Sequence, residues 1–168
     1  VISATGSSAP EVRKTAELDD LAGRLKAARE RLRGLPVSDS QDLGPPDPKS
    51  GERWNRFNVL GHTAEMLAFW PGQIRRALDT GTKMGREPGS AARLEGIESG
   101  RRLGEEALRE RIAIATDGVL TLLADLRPED LDREIDSYGQ GPITARHALE
   151  YYLVGHLESH LAQLEQLP

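Results

Sequence analysis

Residues 144–167 read TARHALEYYLVGHLESHLAQLEQL, and this stretch decides the fold. Thr144 is a good helix N-cap, because its hydroxyl can accept from a backbone N–H that the first turn leaves free. From there apolar residues recur at helical spacing: Leu149, Tyr152, Leu153, Leu157, Leu161, Leu164. His156 and His160 are four apart, so on an α-helix they lie about 40° apart and one turn separated, on one face. Leu149, Tyr152, Leu153 and Gln163 lie within roughly 60° of His156, which places both histidines on the inward stripe. His147, nine residues before His156, falls about 180° away on the same wheel and is expected to face solvent.

Working back from that helix, three more amphipathic segments appear. Leu18, Leu21, Leu25, Ala28 and Leu32 form a stripe over Pro10–Arg33, ended by Gly34 and Pro36. A second helix opens near Trp54-Asn55, with Asn55 as N-cap, and carries Phe57, Val59, Leu60, Met66, Leu67, Phe69 and Trp70. Pro71-Gly72 is expected to kink or interrupt it. Leu108, Ile112, Ala115, Val119, Leu122 and Leu126 mark the next long helix, which Pro128 ends. Residues 35–53, with Gly44-Pro45-Pro46, read as loop, as does 127–143, and no strand pair is expected. The glycine-rich stretch 79–104 resists assignment beyond a short helix around 91–99. Residues 1–9 read as a flexible tail before a single domain over 10–168. The expected fold is an all-α four-helix bundle.

Composition narrows the function. A formal net charge of −5, with basic residues in nothing longer than pairs such as Arg75-Arg76, gives no footprint for nucleic acid. Aromatics make up only 4%, so Leu, Ala, Ile and Val must build the core. No run approaches the roughly 20 apolar residues of a membrane span, and no leader is visible at the start. There is no cysteine, which removes disulfides, thiolate ligands and a Cys nucleophile together and suits the cytoplasm.

The histidines carry the chemistry. His62, on the second helix with Met66 and Phe69 on its side, also faces inward. Three of four histidines on apolar faces need an account, since buried imidazoles require partners for both ring nitrogens. An HxxxH pair alone is weak evidence for a metal, and a lone inward histidine is more often a hydrogen-bonded core residue.

Two blocks carry a resemblance. Trp54-Asn55-Arg56-Phe57-Asn58-Val59-Leu60-Gly61-His62 and, near a hundred residues on, Gly141-Pro142-Ile143-Thr144 followed by His156-Leu157-Glu158-Ser159-His160-Leu161-Ala162-Gln163-Leu164 resemble the DinB-like superfamily. The resemblance implies an up-down-down-up bundle with a three-histidine site for nickel, zinc or a similar ion. Carried over, the ligands are His62, His156 and His160. It also implies a small-molecule substrate, and relatives that are thiol-dependent transferases or isomerases using bacillithiol or mycothiol. Stretch 81–104 matches no part of the pattern.

Three protein ligands leave a position open, the arrangement of a catalytic metal. Joined to the thiol chemistry that the resemblance implies, the reading is a metal-dependent enzyme acting on a small molecule by thiol S-transfer with a low-molecular-weight thiol. A non-catalytic metal- or small-ligand-binding stress-response module, and a hydrolase using metal-activated water, are the alternatives. Glu65, one turn past His62, suits a supporting partner, a general base, or simply the surface. Tyr152 and Gln163 are candidates to line the site or to bind a cofactor, ordinary packing being the other reading. A homodimer follows from the resemblance and from Phe57 and Trp70 as apolar surface beyond what one bundle covers.

Overall fold

The computed structural model describes residues 9–47 and 50–167. The expected tail lies outside these residues except for Ala9, which begins α1 (Ala9–Gly34) and buries Leu18, Leu21, Leu25, Ala28 and Leu32. The stripe read from the sequence is thus the face that packs. Helix α2 (Arg56–Thr80) starts in a reciprocal cap: Asn55 Oδ1 accepts from the Asn58 N–H at 3.0 Å, and Asn58 Oδ1 accepts from the Asn55 N–H at 3.1 Å.

Pro71 neither stops nor splits α2. Its missing N–H costs about 3 kcal/mol, but Leu67 and Trp70 before it and Ile74, Ala77 and Leu78 after it are all buried. At about 1.5–3 kcal/mol per large apolar side chain, that burial outweighs the lost bond. The helix ends at Gly81, whose φ of 70° suits glycine.

The illegible stretch contains α3 (Ala91–Leu103), four residues longer than the helix expected there. Glycines seat it on α2. A Cβ on Gly100 would stand 2.0 Å from the Phe57 carbonyl oxygen, and one on Gly61 would stand 2.3 Å from that of Gly96. Helix α4 (Glu105–Asp125) follows directly. Where loop was expected, strands β1 (Glu134–Ser137) and β2 (Gly141–Thr144) form an antiparallel hairpin with Glu134 opposite Thr144. Four-residue strands closed by Gly139 and Gly141 are too short to show a period-two pattern.

The last helix is continuous from α5 (Ala145–Leu149) through a wide π turn, Glu150–Val154, into α6 (Gly155–Leu164). Thr144 caps it as expected, its Oγ1 accepting from the His147 N–H at 3.2 Å. On an unbroken α-helical wheel the buried face would drift by roughly 100° between Ala145–Tyr152 and Leu157–Leu164. The π turn absorbs about one residue and brings the two halves into line.

Contacts between helices fix their directions. Glu17 meets Arg146, Arg24 meets Glu150 and Glu158, and Arg31 meets Glu165, so α1 runs parallel to the last helix. Arg29 meets Asp117 while Arg109 donates to the Leu32 carbonyl, so α1 is antiparallel to α4. Trp70 packs on Tyr152 and His62 on His160, so α2 is antiparallel to the last helix. The bundle is up-down-down-up, with α3 filling the long crossover between the two parallel helices. Phe57 and Trp70 are both buried within the chain, so they supply no spare apolar surface for a dimer. Among the described residues no helix is long and apolar enough to cross a membrane.

A buried ion pair locks the entry to this bundle. Arg56 Nε lies 2.8 Å from Glu105 Oε2, and Arg56 also donates to the Pro36 carbonyl at 2.6 Å. Burial alone would raise the Glu105 carboxyl's pKa, but Arg56 and Arg109 outweigh it and hold the group below its usual range.

Two glycine substitutions test the packing in opposite directions. Gly100→Ala is expected to destabilise the protein by about 1–3 kcal/mol, since helix backbone must move to admit the methyl. Gly118→Ala, on the exposed side of α4 with nothing within 4 Å, should stabilise it by roughly 0.5–1 kcal/mol. Urea unfolding of both variants checks the pair; equal effects would contradict the seating of α3.

Candidate metal centre

His62 sits in the second turn of α2, where every residue from Arg56 to Ala64 is buried. The Asn55 cap turns the chain so that Trp54, just ahead of it, lies against the histidines. Its ring centroid is 5.1 Å from that of His62, edge-on, and 5.9 Å from that of His160, nearly parallel. From the antiparallel last helix come His156 and His160. Ring centroids are 5.5 Å apart for His62 and His156, 5.1 Å for His62 and His160, and 4.7 Å for His156 and His160. One nitrogen from each ring lies within 4.8 Å of the others, so the three could hold one metal ion.

Two atoms test whether an ion fits. Among the described residues, His62 Nδ1 and His160 Nε2 are buried without a hydrogen-bond partner. An orphaned buried polar atom costs about 1–3 kcal/mol, and two beside each other in one cluster call for a ligand. The other nitrogen of His160 is accounted for: Gln163 Oε1 stands 3.0 Å from Nδ1 and can only accept, so Nδ1 carries the proton and Nε2 keeps a free lone pair. That is how ligating histidines are oriented, by a hydrogen bond on the far nitrogen.

The electrostatics agree. Burial, the two neighbouring imidazoles and the nearby Arg93 and Arg86 push the His62 pKa down to about 2. Burial, His160 and Arg93 push that of His156 down to about 3. His160 is lowered too, by burial first, against the opposing pull of Gln163. At neutral pH all three rings are uncharged, the form that donates a lone pair.

The remaining sequence candidates fall around this cluster. Glu65 is no simple surface residue: its carboxylate is paired with Arg86, and its Oε2 stands 4.0 Å from His62 Nδ1. Tyr152 stacks on Trp70 at 4.2 Å, and its hydroxyl is engaged at 2.9 Å with both Ser137 and Gln140, tying helix to hairpin. Glu158, between the two histidines of the last helix, is held by Arg24. His147 is exposed, as expected, and stacks on Tyr151. The reason differs in detail, because the π turn takes about 100° out of the 180° wheel separation from His156, and the buried face turns with it.

Arg86 and Arg93 were not legible. Arg93 reaches over Trp54 with 5.7 Å to the ring centroid and pairs with Glu52 at 2.9 Å; Arg86 lies over Phe69 at 4.1 Å. Both come from the glycine-rich stretch, whose course depends on close contacts with α2 that no local pattern announces. A separate apolar cleft of about 510 Å³ runs between α2, α3 and α4 and includes Glu65 but none of the histidines.

No curated protein and no solved structure matches this chain. The family model of the DinB superfamily matches residues 21–164, which takes in all three clustered histidines, their supporting Gln163 and most of the bundle. The chain belongs to the DinB superfamily.

Proposed function

We propose that the protein binds one divalent metal ion through His62, His156 and His160 and is a metal-dependent enzyme acting on a small molecule, by S-transfer from a low-molecular-weight thiol. The observation that supports this reading is the pair of unpartnered buried nitrogens, His62 Nδ1 and His160 Nε2, within a cluster of uncharged imidazoles. Nickel and zinc both suit imidazole ligands. When bound, the ion would supply a Lewis acid with an open position, able to lower the pKa of a thiol or water arriving there.

The chain's own residues do the rest. Gln163 holds His160 in its ligating tautomer. Trp54 covers two of the three rings and keeps water from them, while partly exposed His156 marks the open side. With no cysteine in the sequence, a sulfur nucleophile must come from the thiol substrate. Glu65, ion-paired to Arg86 with its Oε2 4.0 Å from His62 Nδ1, is the candidate for accepting a proton there.

Metal titration of folded variants tests the site. The wild type is expected to take up one ion per chain. His62→Ala, His156→Ala and His160→Ala should each weaken affinity by more than the roughly 10–100-fold that losing a supporting hydrogen bond costs. His147→Ala should leave it unchanged, and an equal loss there would contradict the assignment. Consumption of thiol with an electrophile by the loaded protein, absent in His156→Ala, tests the chemistry; metal binding without turnover of any thiol would favour a non-catalytic binding module.

Acid provides a further check on the metal-free protein. The unfolded chain protonates its histidines near pH 6.5, whereas His62 and His156 in the fold resist protonation down to about 2 and 3. Between those values the unfolded state binds more protons, so stability is fully present above about pH 6.5 and falls as pH drops below it. Each histidine contributes about 1.4 kcal/mol per pH unit. Thermal unfolding from pH 7 to 5 should show this fall, reduced in His62→Ala. A flat profile would contradict burial of the neutral rings.

A further inference from the structure

The π turn of the last helix ends at Val154, one residue before Gly155 and two before His156, and a single side chain from another helix spans that turn. Arg24, half-buried on α1, donates from Nη1 and Nη2 to Glu150 at 2.8 and 2.7 Å, and from Nε and Nη2 to Glu158 at 3.0 and 2.6 Å. Both edges of the guanidinium are therefore used on carboxylates, the geometry in which arginine fixes position as well as charge. Glu150 is the first residue of the π turn, and Glu158 lies midway between His156 and His160.

The angles explain why one arginine can hold both. On an unbroken α-helix two residues eight apart lie about 80° apart. The wide turn takes up about 100°, which leaves Glu150 and Glu158 only about 20° apart and facing α1 together. In a regular helix the two carboxylates would diverge, and His156 and His160 would be rotated away from His62 by the same amount.

Gly155 fits the same account. Its N–H bonds to the Glu150 carbonyl, the i to i+5 bond that defines the turn, and a Cβ there would lie 3.0 Å from both that carbonyl oxygen and Glu150 Oε1. Glycine inside a helix costs about 1 kcal/mol relative to alanine, and here it lets the turn close.

We propose that Arg24, through Glu150 and Glu158, is a positioning residue that holds the last helix in its π register and thereby points His156 and His160 at His62. The inference rests on the three-histidine reading above for its functional meaning, and on the helix geometry alone for its structural part. Arg24 touches none of the three rings; it acts through the backbone that carries two of them.

Cobalt(II) titration, followed by visible absorption, compares the wild type with Arg24→Met, Glu158→Gln and the control Glu165→Gln. The control breaks another pair between the same two helices, Arg31 with Glu165, beyond the histidines. Arg24→Met and Glu158→Gln are expected to weaken cobalt binding about tenfold or more and to alter the absorption bands, while Glu165→Gln does neither. Wild-type affinity in Arg24→Met overturns the proposal, and so does an equal loss in the control, which would reduce the effect to general docking of α1. A wild type that takes up no cobalt would sink the metal reading but not this one, because a second measurement needs no metal. In isotope-labelled protein, the coupling across the hydrogen bond from the Gly155 N–H to the Glu150 carbonyl should vanish in Arg24→Met and persist in Glu165→Gln. Its persistence in Arg24→Met overturns the clamp.

Discussion

Three uncharged imidazoles packed against one another, two of them with a nitrogen that no group among the described residues satisfies, are the constraint on which the rest of the structure turns. Such an arrangement is costly for folding in the absence of a ligand, since each orphaned atom forfeits the hydrogen bonds it had in water. It survives because everything around it is over-determined. The reciprocal Asn55–Asn58 cap fixes the start of α2, and the buried Arg56–Glu105 pair ties that start to α4 and to the Pro36 carbonyl. Trp54 closes over the rings. The site is thus built on two antiparallel helices of the bundle, and not on a loop that would have to be ordered at the moment of binding.

The same constraint explains the irregularities. A π turn inside a helix gives up regular hydrogen bonding, and a glycine beside it gives up helix propensity. Both are tolerated because an even helix could not bury Leu149 and Tyr152 in its first half and Leu157, His160 and Leu161 in its second while facing one core. The close glycine contacts of α3 follow a similar logic. They let the crossover helix lie flat on α2, which brings Arg93 over Trp54 and within electrostatic reach of all three histidines. Burial above all keeps the rings neutral; the two arginines of that stretch add to it and are themselves balanced by Glu52 and Glu65.

Much of this was legible in the residues, and what was not has a physical cause. The leucine stripe of α1, the caps at Asn55 and Thr144 and the periodicity of α4 are local signals, and each survives in the fold. The histidine cluster was legible because an i, i+4 pair and an inward His62 combine with a resemblance that fixes which helices meet. The π turn was not, because it is set by Arg24 and by burial across the bundle, and an ideal wheel has no place for it. Nor was α3, whose glycines look like helix breakers until α2 is laid against them. The interruption expected at Pro71 is absent for the converse reason: tertiary burial on both sides of the proline outweighs its local cost. Glu65 and Gln163 were legible only as neighbours of the histidines, their partners being distant in sequence or dependent on ring orientation.

The central claim is that one ion occupies the space between three named rings. Diffraction from crystals of the protein grown with nickel or zinc, recorded above and below that element's absorption edge, tests it most directly. The account predicts an element-specific anomalous peak bounded by nitrogens of His62, His156 and His160. Well-ordered rings with no anomalous signal between them, at a metal concentration that saturates the protein in solution, would contradict it.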